Sequence, residues 1–477
     1  MPRTSSSPLA LTHPERVLSA LPIQSAAPIL SVPPEILLEI CRVSILGNLD
    51  IWACSLVCQA WRAVFLPMAW LPMHLSNVEI VDLHHIDYDG WEFGLEYTKR
   101  LAVLLAESAR LGLDDCAHVR SILINVCDLF DRVGSYHYLP DMEQLLLSVF
   151  AAGLPNLHSL DFEYSVLPPT HSDDLSHLSC LYTFFTRLFP YCSSVEELIV
   201  SDNSAYAHYT PATTPCSPRY YLNPLIRGLA PTLRMLILSR VRADPGLEDA
   251  LSACLSLEDV TFEGVRNADV RRCLSVWPRL RCLGLQFAEP AEDALLERVG
   301  EMYPGLTELY LHGYKRRPGG GAGIAALMAR CRGIRELILT DMEDVDDTAL
   351  QVIVDKCTEL ESLHLTRLKR LTGAAVRLES LRWKKLERMR LDGCVAIVSA
   401  FVGIVVTGCP NLEVLYLPEH LGQNDDLSET LERMNYERVK RSSLPYCWTK
   451  ESRAEKEQKQ EQSRSKSGVI KCTPDTD

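Results

Sequence analysis

A repeated spacing of apolar residues constrains the fold of this chain more than any other feature of its sequence. The clearest copy runs from Cys357 to Leu365 and has the form C-x-x-L-x-x-L-x-L. The first apolar residue after the cysteine position is here called the anchor. It recurs at positions 119, 157, 195, 233, 257, 280, 306, 334, 360, 386 and 412. A chain with such a period is expected to fold as a stack of similar units.

Each unit is predicted to contain one strand and one helix. The second and third apolar positions of a unit are two residues apart, which places both side chains on one face of a strand. Between units the spacing becomes helical, as in Ala349, Leu350, Ile353, Val354 and Cys357. Asp346 or Asp347 can cap that helix. The period lies in the range of leucine-rich repeats, so the sequence predicts an α/β solenoid of about eleven units, curved, with strands lining the concave side.

Composition excludes several classes of protein. The 477 residues carry a net charge of −14, which disfavours nucleic-acid binding. The longest apolar stretch, Val395–Val406, is too short to span a bilayer, and we interpret it as a repeat helix. No secretory signal is recognised at the start. Among 17 cysteines, six occupy the same repeat position, where other units place Leu, Trp or Tyr, so these six are expected to be buried and unpaired. The expected location is therefore cytoplasmic and/or nuclear, with no membrane association.

Residues 29–66 differ from the repeats and predict a small helical module. Pro33 and Pro34 can begin a helix with apolar residues at 36, 37 and 40 on one side, and a second helix carries Leu56, Val57 and Trp61 at helical spacing. Such a module is too small to be robust alone.

The pattern Pro-Pro-Glu-Ile-Leu, followed about twenty residues later by Leu-Val-Cys-x-x-Trp-Arg, resembles an F-box. An F-box followed by leucine-rich repeats resembles the substrate receptors of Skp–cullin–F-box ubiquitin ligases. The resemblance implies that the F-box docks on a Skp-type adaptor, and through it a cullin, while the repeats bind a protein substrate. The implied adaptor-binding residues are Pro33, Pro34, Ile36, Leu37, Ile40, Leu56, Val57, Cys58 and Trp61. The alternative is a degenerate F-box that only caps the array of an adaptor-independent interaction scaffold.

The expected domain organisation follows from these patterns. Residues 1–28 are a disordered lead, 29–66 the F-box and 67–432 the repeat domain, whose first part is irregular and contains insertions. Residues 433–477 are expected to be a polar, largely disordered tail.

A candidate substrate site lies between the inward-pointing apolar residues, on the concave face. This face is predicted to change from acidic in the early units to more basic near the C-terminus. Its candidate substrate-binding residues are Tyr310, His312, His364, Arg388, Arg390 and Tyr416. Because arginine forks suit carboxylates and phosphates, we expect an acidic or phosphorylated segment to dock around Arg388 and Arg390, although ordinary surface charge is the simpler interpretation.

The sequence favours a non-catalytic protein. It contains no nucleophile elbow, phosphate-binding loop or dinucleotide fingerprint, and no cysteine–histidine set has zinc spacing. We therefore predict no catalytic residues, no cofactor and no metal site.

Overall fold

A computed structural model describes residues 73–74, 103, 105–106, 116–117, 119–129, 138–163, 176–201, 222–240, 243–314, 320–441 and 444–450. Fourteen strands in these residues form one sheet. The first twelve follow one another in chain order as parallel neighbours, and the last two are antiparallel. The sequence-predicted F-box, residues 29–66, lies outside the described residues.

One strand forms at each of the eleven anchors, directly after the anchor residue and its neighbour. The strands are β1 (Met73–His74), β2 (Ser121–Asn125), β3 (Ser159–Glu163), β4 (Glu197–Ser201), β5 (Met235–Ser239), β6 (Asp259–Val265), β7 (Cys282–Phe287), β8 (Glu308–His312), β9 (Glu336–Thr340), β10 (Ser362–Thr366), β11 (Arg388–Arg390), β12 (Val414–Tyr416), β13 (Tyr436–Arg441) and β14 (Leu444–Lys450). The predicted α/β class and strand-per-unit periodicity are confirmed by β2 to β12.

The parallel register aligns equivalent residues of successive units. Leu309 on β8 pairs with Leu283 on β7 and with Leu337 on β9, and each of the three is completely buried. The same row of inward-pointing residues continues across the other strands, and these side chains belong to one continuous hydrophobic core. A unit alone cannot bury its apolar face, so the core exists only because the units stack.

Helices cover the core side of the sheet. They are α1 (Pro140–Ala151), α2 (Ser176–Leu188), α3 (Asn223–Leu229), α4 (Pro245–Ser252), α5 (Asn267–Cys273), α6 (Asp293–Met302), α7 (Gly321–Arg330), α8 (Asp347–Lys356), α9 (Ser399–Gly408), α10 (Glu419–Gly422) and α11 (Asp425–Arg433). Short 3-10 turns cover Val126–Leu129 and Phe189–Tyr191. Neighbouring helices such as α6, α7 and α8 pack against each other as their strands do.

Carboxylates fix where some of these helices begin. Asp346 accepts hydrogen bonds from the backbone N–H groups of Thr348 and Ala349 at 2.9 and 3.2 Å, as an N-cap of α8. The neighbouring Asp347 instead accepts from the backbone of Thr372 and Gly373, at 2.8 Å each. The two adjacent aspartates therefore have different roles, one in its own helix and one in tying α8 to the next unit.

The unit between β10 and β11 departs from the predicted strand–helix pattern. Its residues 367–387 are all described and form turns without a helix. Leu371, Val376 and Leu381 fill the core position there, and they are five residues apart in sequence. A helical stripe needs apolar residues three or four apart, so this spacing buries the same kind of surface from an irregular segment.

The chain after residue 432 differs from the prediction of a largely disordered tail. β13 and β14 form an antiparallel hairpin, and β14 pairs with β12 at the end of the sheet. Trp448 lies opposite Leu415 and is 1% exposed, so it takes the place that a leucine would have in a further unit. The period-two apolar positions Leu444, Tyr446 and Trp448 indicate this strand in the sequence. Residues 451–477 lie outside the described part.

The cysteine prediction is confirmed where the structure describes it. Cys116, Cys192, Cys254, Cys331, Cys357 and Cys409, the six at the shared repeat position, are buried, and none forms a disulfide with another described residue. Burial raises the pKa of the Cys357 thiol to about 12, so this thiol stays protonated and packs as a small apolar group.

Candidate functional site

The helices described above pack on one side of the sheet, and the side that none of them covers is here called the open face. It is formed by the strand residues that alternate with the buried rows. Its first row contains Glu197, Met235, Asp259, Cys282, Glu308, Glu336, Ser362, Arg388 and Val414, on β4 to β12 in order. Its second row contains Ile199, Ile237, Thr261, Gly284, Tyr310, Ile338, His364, Arg390 and Tyr416.

Acidic side chains dominate the first row from β4 to β9. Asp259, Glu308 and Glu336 all lie in it, partly buried. Burial and the nearby Glu308 and Glu197 raise the pKa of Asp259, although a hydrogen bond with Cys282 opposes that shift. The pKa of Glu336 is also raised, by burial and by Glu308, while Arg388 opposes the shift. Burial is the main cause of both shifts, and the neighbouring carboxylates of the same row add to it.

The open-face positions of β7 are small and are covered by their neighbours. Cys282 is 5% exposed, and Gly284 is buried and has no side chain at all. A Cβ atom on Gly284 would lie 2.5 Å from Oγ1 of Thr261, so this position admits only glycine without displacing the neighbouring strand's side chain. On the other side stands Tyr310, whose hydroxyl donates to Oε2 of Glu308 at 2.7 Å. The Thr261 side chain therefore covers β7 from one side, and Tyr310 flanks it on the other.

The basic end of the face lies on β11. The guanidinium of Arg390 donates to Asp392 and lies 5.3 Å from the centroid of the Tyr416 ring. Arg388 is exposed and forms no ion pair with the other described residues. Burial, together with Arg390 and Arg388, lowers the pKa of the neighbouring His364, although Asp392 opposes this. The lowered pKa favours the neutral imidazole of His364.

A second polar group lies at the carboxyl ends of β8 to β10. Asp341 accepts two hydrogen bonds from the guanidinium of Arg367, both at 2.6 Å, and its Oδ2 lies 3.1 Å from Nε2 of His312. Burial alone would raise the pKa of Asp341, but the hydrogen bonds and charge of Arg367, with His312, lower it overall. The polar groups of Asp341, Arg367 and His312 bond to one another. The cluster is therefore a structural clamp between neighbouring units and not a binding site.

The six residues predicted to bind substrate are all on the described strands. Tyr310 and His312 lie on β8, His364 on β10, Arg388 and Arg390 on β11, and Tyr416 on β12. Across four strand spacings of about 4.8 Å they cover roughly 19 Å, so they form an extended surface and not one pocket. His312 and Arg390 already have carboxylate partners, which leaves Arg388 as the arginine that is available to a ligand.

The small, covered positions of β7 are the part of the face that sequence reasoning did not select. Their signal is a pair of small residues, Cys282 and Gly284, where neighbouring units place larger polar ones. The predicted adaptor-binding residues, from Pro33 to Trp61, lie outside the described residues.

Two further observations concern the described part of the chain alone. No group of three or more His, Cys, Asp or Glu side chains in it is arranged to hold a metal ion. None of the helices described above has both the length and the apolar character to cross a membrane.

Comparisons with known proteins give similarities in structure alone. No family model matches the sequence, and no curated protein matches it. The chain is similar to the crystal structure of the yeast Rad7 and Elc1 complex, with 16% identity, a TM-score of 0.42, and coverage of 67% of this chain and 82% of that one. It is also similar to the leucine-rich-repeat protein LegL7 from Legionella pneumophila, with 13% identity, a TM-score of 0.34, and coverage of 66% and 90%.

A leucine-rich-repeat protein from Leptospira interrogans is similar with 13% identity, a TM-score of 0.29, and coverage of 73% of this chain and 89% of that one. Because all three TM-scores are low, we base the repeat fold on the strand register and helix packing of this chain itself.

Proposed function

We propose that this chain is the non-catalytic substrate receptor of a Skp–cullin–F-box ubiquitin ligase. In this proposal residues 29–66 dock a Skp-type adaptor, which links the chain to a cullin, and the repeats hold a protein substrate. The F-box-like motif at Pro33–Leu37 and Leu56–Arg62 supports the first half. The second half is supported by the open face.

The open face carries the proposal of substrate binding. Repeat arrays bury one side of their sheet under helices and use the other for partners. Here that other side presents partly exposed charged residues, among them Glu308, Glu336 and Arg388. A segment of a partner that lies across the strands would contact these charged residues, and it would contact Tyr310 and Tyr416 as well.

Adaptor capture tests the function directly. We expect immobilised Skp-type adaptor to retain the full chain and to lose the Leu56→Ala, Trp61→Ala double variant, because both residues belong to the motif implied to contact the adaptor. A matched control is Leu255→Ala with Val276→Ala, since these apolar side chains are 58% and 77% exposed on the repeats. That control is expected to bind like the wild type.

Failure of the wild-type chain to bind would contradict the ligase proposal. The chain would then be an adaptor-independent repeat scaffold, with residues 29–66 serving as a cap for the first units. Equal binding by wild type and by the Leu56→Ala, Trp61→Ala variant would place the adaptor contact elsewhere and would also contradict it.

A further inference from the structure

Charges on the first row of the open face are separated by sign along the sheet. Glu197, Asp259, Glu308 and Glu336 lie on β4, β6, β8 and β9, and Arg388 lies on β11. The residues one position earlier mix the two signs along the sheet: Glu196, Arg234, Glu258, Arg281, Thr307, Arg335, Glu361 and Glu387, and Arg335 pairs with Glu361 at 3.8 Å. The separation of charge by sign is therefore a property of the first row of the open face and not of this neighbouring row.

The acidic part attracts a basic side chain. Glu308 and Glu336 lie side by side on β8 and β9, both partly exposed, and Tyr310 stands beside Glu308 on β8. A lysine or arginine of a partner would be attracted by these two carboxylates and would lie against the Tyr310 ring.

The basic part is shaped to receive an acidic group. Arg388 is exposed and unpaired among the described residues, whereas the adjacent Arg390 is held by Asp392 and Tyr416. Ser362 and His364 lie on β10 between Arg388 and the acidic strands, so no carboxylate occupies the position next to it. A carboxylate or phosphate of a partner would accept two hydrogen bonds from the guanidinium of Arg388.

The spacing of the two parts sets the distance between the two charges in the partner. β8 and β11 are three strand spacings apart, which is about 14 Å, and an extended segment rises about 3.3 Å per residue. We infer that the open face binds an extended protein segment in which a lysine or arginine is separated by three to five positions from an acidic or phosphorylated residue. The basic residue contacts Glu308 on β8 and the acidic one contacts Arg388 on β11. This inference rests on the proposed role of the open face in substrate binding.

Selection from a random peptide library tests the inference. The immobilised full chain is presented with displayed random twelve-residue peptides. We expect enriched peptides to carry a basic and an acidic residue three to five positions apart. A synthetic peptide with that pattern should bind the wild type about tenfold more tightly than it binds the Glu308→Lys, Glu336→Lys variant or the Arg388→Glu variant, since each variant turns attraction into repulsion.

Matched controls place the same charge changes away from the open face. Glu379→Lys with Glu432→Lys changes the net charge as the double variant does, and Arg332→Glu matches Arg388→Glu; all three positions are exposed. These controls should bind the peptide like the wild type. Circular dichroism of each variant shows whether it is folded.

The inference is overturned if enriched peptides lack this charge pair, or if open-face and control variants weaken binding equally. That result leaves the ligase proposal standing wherever the adaptor still captures the chain. Loss of adaptor capture with the peptide pattern intact would remove the ligase proposal and keep this binding face.

Discussion

Several residues at the ends of the strands have an unusual backbone conformation. Asp341 and Arg367 have φ angles of 55°, and Arg240 one of 52°, although none is a glycine. Each stands two positions after the last apolar strand residue, where another unit has Gly393, with φ of 68°. A non-glycine residue at such an angle costs on the order of 1 kcal/mol or more. In Asp341 and Arg367 the double hydrogen bond between their side chains offsets that cost.

The charge of Asp341 makes a pH-dependent contribution to stability. Because its pKa is lowered in the folded chain, its contribution is present above the unfolded pKa of about 3.9 and is lost as pH falls through the folded pKa. We expect Asp341→Asn to lower the free energy of unfolding by about 1–3 kcal/mol at pH 7. The difference from wild type should shrink when urea unfolding is repeated near pH 3.

A matched substitution separates this clamp from general surface charge. Asp249 pairs with Arg227 at 3.4 Å, but its side chain is 76% exposed. Asp249→Asn should change stability little at either pH, since exposed pairs contribute little. A constant difference between Asp341→Asn and wild type from pH 7 to pH 3 would show that the carboxylate charge is not what stabilises the clamp.

At the scale of single elements, apolar spacing separates a helix from a segment of turns. The stripe in α8 and its cap Asp346 are visible in the sequence, and the structure has both. The segment after β10 has its buried residues five apart instead, and it forms turns. Gly373 there has φ of 73° and accepts no Cβ, since that atom would lie 2.4 Å from Cγ of Phe401. Contacts with both neighbouring units, through Asp347 before the segment and Phe401 after it, therefore fix its local conformation.

Two glycines in neighbouring segments are predicted to respond oppositely to alanine. Gly403 lies inside α9, and a Cβ there meets no atom within 4 Å. Gly403→Ala should raise the free energy of unfolding by about 0.5–1 kcal/mol through helix propensity. Gly373→Ala should lower it by more than about 1 kcal/mol, because of both its φ angle and the contact with Phe401. Denaturant unfolding of both variants tests this, and a stabilising Gly373→Ala would contradict the positive-φ turn.

At the scale of the whole molecule, the units share one core, and its last layer is closed by the hairpin. Trp448 extends the buried row past Leu415, and Tyr436 donates its hydroxyl to the backbone O of Leu412 at 2.6 Å. Arrays of this kind lose stability from an uncovered end, since each unit contacts only its neighbours. The segment that the sequence places in a polar tail is therefore the C-terminal cap as far as residue 450.

Removing the hairpin should destabilise the end of the array first. A chain ending at residue 434 is expected to show faster amide hydrogen exchange in β11 and β12, with little change in β5 to β8. A chain ending at residue 451 keeps β13 and β14 and serves as the control. Unchanged exchange in β12 of the shorter chain would show that the hairpin is not a cap.

The sequence alone determined the repeated strand, the buried rows and the aligned register. These depend on apolar residues at a fixed period, and each unit carries that information locally. It also placed charged residues between the buried ones, and so predicted which side chains share a face.

Only the tertiary structure decided which of these charged residues form ion pairs within the chain. Asp341 finds Arg367 in the next unit, while Arg388 finds no partner among the described residues, and no local pattern distinguishes these two outcomes. The same is true of β7, where Gly284 is required because Thr261 on the neighbouring strand covers it. The physical reason is that partners about 26 residues apart meet only through stacking, so pairing depends on the contents of adjacent units.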